Sequence, residues 1–318
     1  MLTLAVKTTF FFVLVSFTLG YSQGIHGGYF NSHYVDFYQG TEKTTVILSV
    51  PHDGWKRPSG IASRERGCYD STTKTCDWDH DCSGHKDSKK CGVSTGADLW
   101  SAKLAMEIRA KIAEVTGETP HMIVSQLHRS KMDPNREREE AAQGDFQAEY
   151  AFDTYHGFIE KAQDLVKKTG NPGIQFDIHG YSSHPDLWFE LGYLIDNDDL
   201  DRGQLRRSES SIKSLAERVD VSFEEILRGE TSLGGMFQAA GYKAIPSPQY
   251  PGPGSGFGGK YYRGGYTTQR WGSRDGGNID CIQMELPPEP RRDNMEHGPR
   301  MGQVMGEFVK KYYSGEDM

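Results

Sequence analysis

The sequence predicts a three-layer α/β/α domain built around a mixed, mostly parallel β-sheet. Short apolar runs typical of buried strands alternate along the chain with segments whose apolar residues recur at helical spacing. The 318 residues have an ordinary globular composition, with neither an internal repeat nor a convincing domain linker. Residues 23–318 are therefore predicted to form a single domain.

The individual elements follow from these patterns. Apolar runs predict strands over residues 44–50, 121–125, 174–178, 186–195 and 279–286. Helices are predicted over residues 94–115, 138–168 with a break near Gly144, 209–219, 222–228, 232–240 and 294–313. In the first of these helices Leu104, Ile108 and Ile112 recur every four residues and so share one face.

The N-terminal segment differs from the rest of the chain. Lys7 is the one charged side chain before Asp36, and an apolar run over residues 10–19 is followed by the small residues Gly20 and Ser22. This order predicts a signal peptide over residues 1–22 and a secreted, extracellular protein. An uncleaved anchor or a buried helix is the alternative interpretation, although the run is short for a transmembrane helix.

Charge and hydropathy argue against two classes of partner. The formal net charge of −8 leaves no basic excess for nucleic acid. No segment beyond the N-terminus is long and apolar enough to span a bilayer, so no membrane partner is expected. The sequence carries no signal of an oligomeric state.

Four of the five cysteines lie in one hydrophilic segment, residues 54–92, which is predicted to be a Cys-rich insertion. An even cluster in an exported chain predicts two disulfides among Cys68, Cys76, Cys82 and Cys91, with three possible pairings. A zinc site made by the four thiolates is the rival interpretation, but their spacing lacks paired C-x2-C motifs. Cys281 lies in an apolar strand and is predicted to be buried.

Polar residues follow the predicted strands where ligands bind in open α/β sheets, at the carboxyl ends. His52 follows the strand over residues 44–50, and His179 ends the strand over residues 174–178. Arg129, Asp133, Asn135 and Arg136 follow a third strand, and Glu285 lies near the end of a fourth. Two histidines that meet at this edge of the sheet suggest a metal site.

Five motifs give the chain a resemblance to a known family. They are Ser49-Val-Pro-His-Asp-Gly54, Arg129-Ser-Lys-Met-Asp-Pro-Asn-Arg136, Phe176-Asp-Ile-His-Gly180, Tyr262-Arg-Gly-Gly-Tyr-Thr267 and Ile282-Gln-Met-Glu-Leu286. In this order they resemble the N-formylglutamate amidohydrolase family, zinc hydrolases whose fold is related to that of the zinc carboxypeptidases and aspartoacylase. The resemblance covers residues 49–286 and implies a zinc-carboxypeptidase-like fold.

The resemblance also implies one Zn²⁺ ion held by His52, an acidic residue and His179. Relatives often supply the acid as H-x-x-E, but Trp55 occupies that position here. Glu65 is the first glutamate downstream and is taken as the third ligand, with Asp53 and Asp70 as alternatives. Two histidines and one carboxylate leave a fourth position for water, as a catalytic zinc site requires.

The remaining motif residues receive roles in this scheme. Glu285 is the expected general base, and Arg136 is the expected clamp for a substrate carboxylate because its guanidinium is a planar fork. Arg129 is expected to stabilise the developing oxyanion, and Asn135 is a neutral hydrogen-bond donor. Tyr266 is either a donor to substrate or a packing residue.

These roles imply a secreted zinc hydrolase of linear amide (C–N) bonds. The expected substrate is a small N-acyl amino acid or a peptide end that carries a free carboxylate. The main alternative is a non-catalytic secreted protein, associated with the extracellular matrix or with another partner, that keeps the hydrolase fold. A zinc carboxypeptidase is the third possibility.

Overall fold

The computed structural model describes residues 29–78, 81–85, 87, 89–182, 188–254 and 261–314. The predicted signal peptide, residues 1–22, lies outside the described residues. Among the described residues, no helix combines the length and hydropathy needed to cross a bilayer.

The described strands form one large sheet and one hairpin. In chain order they are β1 (Tyr29–Asn31), β2 (Val35–Tyr38), β3 (Val46–Val50), β4 (Cys68–Asp70), β5 (Thr75–Asp77), β6 (His121–Ser125), β7 (Gly173–Gly180), β8 (Phe189–Gly192), β9 (Ala244–Ile245) and β10 (Ile279–Leu286). The large sheet has the order β1-β2-β6-β3-β7-β10-β8-β9, and β4 pairs with β5.

The centre of the sheet is parallel and its margins are partly antiparallel. Strands β6, β3, β7 and β10 run parallel to one another, and β8 pairs parallel with β9. Antiparallel pairs join β1 to β2, β2 to β6 and β8 to β10. The prediction of a mixed, mostly parallel sheet is confirmed.

Helices cover both faces of this sheet. They are α1 (Ser101–Thr116), α2 (Arg138–Ala142), α3 (Phe146–Lys168), α4 (Asn197–Arg202), α5 (Lys213–Arg218), α6 (Phe223–Arg228), α7 (Leu233–Ala239), α8 (Tyr266–Trp271), α9 (Pro288–Arg292) and α10 (Asn294–Tyr313). The predicted helix over residues 138–168 is two helices, because Gly144 adopts a left-handed φ of 77° between α2 and α3.

Buried apolar side chains pack between the sheet and the helices on both of its faces. Leu48 packs with Ile108 of α1 and Phe308 of α10 on one face, whereas its neighbour Ile47 packs with Ile159 of α3 on the other. Successive side chains of a strand point to opposite faces, so β3 is apolar on both sides and fully buried.

The close packing of α10 on α1 depends on glycine. A Cβ atom at Gly302 would lie 2.6 Å from the Cβ atom of Lys111 and 2.8 Å from the carbonyl oxygen of Ile108. Gly298 and Gly306, one turn away on either side, face Glu107 and Val115 just as closely. The stripe lets the two helix backbones approach each other beside the sheet.

The Cys-rich segment forms a small stapled unit between β3 and α1. Disulfides join Cys68 to Cys82 and Cys76 to Cys91, so the two predicted disulfides are present and their pairing is resolved. Each disulfide joins one strand of the β4–β5 hairpin to the segment that follows it. Cys281 is a buried free thiol in β10, as predicted.

Candidate metal centre and active site

The sheet brings three motif residues to one edge. His52 lies two residues beyond β3, and His179 and Glu285 are adjacent partners in the parallel ladder of β7 and β10. All three are buried. The carboxyl ends of neighbouring parallel strands meet at this edge, which is why residues far apart in sequence converge here.

Two imidazole nitrogens and one carboxylate oxygen form a triangle at this point. The Nδ1 atoms of His52 and His179 lie 3.1 Å apart. Asp98 Oδ2 lies 3.2 Å from Nδ1 of His52 and 3.4 Å from Nδ1 of His179. These three residues form a buried group that could hold a metal ion.

A second ring of carboxylates fixes the orientation of both histidines. Nε2 of His52 lies 2.7 Å from Oδ1 of Asp133, and Nε2 of His179 lies 2.7 Å from Oδ2 of Asp177. A carboxylate can only accept a hydrogen bond, so each imidazole donates its Nε2 proton outward and keeps the lone pair of Nδ1 for the triangle. Histidine ligands of metal ions are typically oriented in this way.

The triangle has the chemistry and size of a metal site. Its corners are three lone-pair donors, which repel one another unless a positive charge lies between them. For a tetrahedral zinc ion with bonds of 2.0–2.1 Å, ligand atoms lie about 3.3 Å apart. The three observed distances, 3.1, 3.2 and 3.4 Å, agree with that value.

The electrostatics of the site favour a cation. Burial by itself would lower the pKa of His179, but Asp177, Asp98 and Glu285 raise that pKa to about 10. Burial acts to raise the pKa of Asp98, yet His52 and His179 hold it below its usual range. A positive charge between these groups is strongly favoured, and a proton or a metal ion can supply it.

Glu285 lies beside the triangle without belonging to it. Its Oε1 is 3.9 Å from Nδ1 of His179 and accepts a hydrogen bond of 3.1 Å from Nε2 of Gln283. Burial raises the pKa of Glu285 to about 7, with Asp98 acting in the same direction and His179 and Arg129 opposing it. A carboxylate with this pKa can both take up and release a proton near neutral pH.

The arginine motif after β6 supports the same centre. Nε of Arg129 donates to Oδ2 of Asp133 at 2.7 Å, so one carboxylate holds both His52 and Arg129. No other hydrogen bond from the Arg129 guanidinium to a described side chain is present, and Arg129 also lines the cavity. Its terminal nitrogens can therefore meet a substrate oxygen.

Asn135 and Arg136 lie at the same cavity. The Asn135 side-chain oxygen accepts from the backbone N–H of Thr267 at 2.9 Å, which ties the motif to the start of α8. Arg136 is half-buried, donates to the Asn135 carbonyl at 2.7 Å and lies 3.2 Å from Glu140. Its guanidinium is only partly engaged by these contacts.

The structure does not bring the predicted ligand Glu65 to the two histidines. Glu65 is exposed and lies outside the triangle, where its backbone pairs with the side chain of Gln143. Asp98, and not Glu65, is the carboxylate that reaches both histidines.

Tyr266 lies outside the cavity, because its hydroxyl accepts from Arg270 and its ring packs against His156. Of its two predicted roles, the structure favours packing.

The two alternative ligands have other partners. Asp53 accepts hydrogen bonds from the backbone N–H groups of Trp100 and Ala102. Asp70 lies at the tip of the β4–β5 hairpin, where it accepts from Thr72 and Thr73. Neither carboxylate belongs to the group formed with the histidines.

Sequence reasoning missed three residues of the site. Asp177 precedes His179 by two positions in a strand, and that spacing alone places both on one face. Gln283 has the same relation to Glu285. Asp98 lies 46 residues after His52, and no pattern in the sequence predicts that the two side chains meet.

The centre opens into a cavity of about 580 Å³. Its lining is rich in arginine and tyrosine, which gives it donors for an anionic ligand. The lining residues outside the metal group include Arg129, Arg136, Arg263, Arg291, Tyr181, Tyr262 and Glu285.

Comparisons with known proteins give similarities of structure only. No protein-family model matches the chain, and no curated protein matches it. Similar solved structures include a gene product of Agrobacterium tumefaciens, with 13% identity, a TM-score of 0.43 and coverage of 87% of this chain and 94% of that one. Another is N-formylglutamate amidohydrolase from Ralstonia eutropha JMP134, with 11% identity, a TM-score of 0.43 and coverage of 85% and 96%. A third is bacteriophage poly-gamma-glutamate hydrolase, with 11% identity, a TM-score of 0.33 and coverage of 88% and 89%. At these identities the likeness concerns the course of the chain and not its chemistry.

Proposed function

We propose that this protein is a secreted zinc-dependent hydrolase of linear amide bonds in small substrates that carry a free carboxylate. The observation that supports it most is the triangle of His52, His179 and Asp98, with Glu285 beside it in an arginine-lined cavity. N-acyl amino acids and peptide ends are the substrate classes that combine an amide bond with such a carboxylate.

The donor set suits zinc among the biological metals. Two imidazoles and one carboxylate are a known ligand set of catalytic zinc, which keeps a further position for water. A zinc ion held by His52, Asp98 and His179 would supply Lewis-acid activation of water and of the amide carbonyl.

The protein's own residues supply the proton transfers and the binding of the substrate. Glu285 takes a proton from the attacking water at its carboxylate and delivers it to the leaving nitrogen. Arg129, held at Nε by Asp133, directs its terminal nitrogens at the oxyanion that develops on the carbonyl. Arg136, which lines the same cavity, binds the substrate carboxylate.

Export is consistent with the disulfides of the Cys-rich segment. Cys68–Cys82 and Cys76–Cys91 are bonds that persist in oxidising compartments and are rare in the cytosol. A substrate met outside the cell is part of the proposal, and neither a nucleic acid nor a membrane is.

The test is a substrate screen on the purified, zinc-loaded chain. N-formyl and N-acetyl amino acids are compared with the same compounds carrying a C-terminal amide, in the wild type and in Arg136→Gln. We expect hydrolysis of the free acids, its loss on chelation and its return with zinc. Loss of a charged hydrogen bond of about 1.5–3 kcal/mol should raise KM for the acids by roughly 10- to 100-fold and leave the amides little changed.

Other outcomes identify the alternatives. A folded protein that binds no zinc, or that binds zinc and hydrolyses none of these compounds, supports the non-catalytic binding protein. Release of C-terminal residues from peptides, without hydrolysis of N-acyl amino acids, identifies a carboxypeptidase.

A further inference from the structure

The two loops that supply the metal group are separated by the Cys-rich segment. Asp98 follows His52 by 46 residues, and the β4–β5 hairpin with its two disulfides lies between them. Short covalent connection therefore does not fix the distance between the carboxylate and the imidazole. Noncovalent contacts between the loops have to set it.

Three hydrogen bonds join the loops directly. The backbone N–H of Asp98 donates to the carbonyl of His52 at 2.9 Å. The carboxylate of Asp53 accepts from the N–H of Trp100 at Oδ1 and from the N–H of Ala102 at Oδ2, both at 2.8 Å. The residue after one candidate ligand thus holds the residues that follow the other.

Helix α1 lacks a cap from its own first residues. Trp100 is its N-cap residue and provides no side-chain hydrogen bond, and the first turn contains no acidic residue. The first N–H groups of a helix need an acceptor, and Asp53 supplies it from a distant loop. Trp100 has a left-handed φ of 67°, which is uncommon for a bulky residue, and is 39% exposed.

A second contact holds the same loop from the opposite side. Arg291 Nη1 donates to the carbonyl of Leu99 at 2.7 Å. The guanidinium of Arg291 makes its other hydrogen bonds to the carbonyls of Tyr181, Leu286 and Pro287. It restrains the carbonyl side of the loop, whereas Asp53 restrains the N–H side.

We propose that Asp53 is a positioning residue that sets the metal affinity of the site by holding Asp98 against His52. The inference rests on the proposed function, because it presumes that the triangle binds zinc. Both oxygens of Asp53 are occupied by backbone donors, so it acts through Asp98 and does not contact the ion.

The chain contains a matched control for this role. Asp145 is also half-buried and also uses both carboxylate oxygens on backbone donors. Oδ1 accepts from Gln147 and Ala148 at the start of α3, and Oδ2 accepts from Ala62. Asp53→Asn and Asp145→Asn each remove one acceptor from a helix cap, but Asp145 makes none of its contacts with the metal group.

The experiment measures the zinc dissociation constant of the full chain by competition with a chromophoric chelator, and Tm with excess chelator. We expect both variants to lower Tm. Asp53→Asn should weaken zinc binding by about 10-fold, the lower end of the effect of losing a direct partner of a ligand, because Asp53 acts through the backbone near Asp98; Asp145→Asn should leave zinc binding unchanged. Excess zinc should restore the kcat of Asp53→Asn, because the reacting groups are intact.

If Asp53→Asn does not fold, Ala102→Pro replaces it. This change removes one donor to Asp53 in the first helical turn, where proline is tolerated, and should weaken zinc binding in the same direction. Zinc affinity equal to that of the wild type in either variant would overturn the inference alone. A wild type that binds no zinc would overturn the proposed function and this inference with it.

Discussion

Replacing Glu285 by glutamine should separate the proposed catalysis from the proposed metal binding. Glutamine keeps the shape of the side chain and an oxygen that can accept the hydrogen bond from Gln283. It cannot take a proton from water. Because Glu285 lies beside the metal triangle and outside it, zinc binding should be retained.

The expected loss of activity follows from the role of a general base. Such a group contributes about 10²- to 10⁴-fold to the rate, which corresponds to roughly 2.7–5.4 kcal/mol in activation free energy. The variant should lose kcat by this factor, with a smaller change in KM.

The same change should stabilise the fold when zinc is chelated. Burial raises the pKa of Glu285 from 4.5 to about 7. A raised carboxyl pKa means that stability is lost as pH rises from about 4.5 to 7, and the loss is complete above pH 7 at roughly 3 kcal/mol. Glutamine has no charge to bury. For a domain of this size the gain is about 5 °C in Tm.

The control variant is Glu190→Gln. Glu190 is fully buried and lies opposite Glu285 in the pairing of β8 with β10. Burial raises the pKa of Glu190 to about 8, so it is largely protonated at neutral pH and glutamine resembles its resting form. The assay measures kcat, KM, bound zinc and Tm for both variants. Activity of Glu285→Gln within about tenfold of the wild type would refute the role of general base. Loss of zinc from this variant would instead make Glu285 a ligand.

Three further predictions concern the ligands, the metal and acid stability. Asp98→Ala should weaken zinc binding by more than ~100-fold, which exceeds the usual effect of losing an outer partner of a ligand. Glu65→Ala should leave zinc binding unchanged. Both affinities are measured by the same chelator competition, and the reverse result would identify Glu65 as the ligand. Zinc at about 100 times its dissociation constant should stabilise the fold by about 2.7 kcal/mol, or roughly 4 °C in Tm, and a chelator should abolish the shift. A Tm that changes with neither zinc nor chelator would contradict a metal site in the folded chain. Burial lowers the pKa of His156 to about 3, and its neutral ring donates from Nε2 to the Pro134 carbonyl while Nδ1 accepts from Trp271. The unfolded chain takes up the proton first, so the stability that neutral His156 contributes is complete above about pH 6.5. It falls by about 1.4 kcal/mol per pH unit as pH drops toward 3. In His156→Gln the free energy of unfolding, measured with denaturant, should depend less on pH in this range, and an unchanged slope would refute the role of His156.

The layered fold could be predicted from the order of residues alone, and so could six of the residues that line the cavity: His52, Arg129, Asn135, Arg136, His179 and Glu285. Runs of apolar residues predict buried strands, and parallel strands bring the residues at their carboxyl ends to one edge of the sheet. For that reason His52, His179 and Glu285 could be associated before their distances were known. The cysteine cluster likewise predicted that two disulfides form.

The completion of the centre depends on tertiary contacts that no local pattern encodes. Asp98 reaches the histidines although the Cys-rich segment separates them in sequence, and the pairing of Cys68 with Cys82 depends on how that segment folds. Tyr266 turns toward His156 because α8 packs against α3. Periodicity describes a residue's immediate neighbours along the chain, whereas the ends of a long loop are placed by hydrogen bonds and packing with segments far away in sequence.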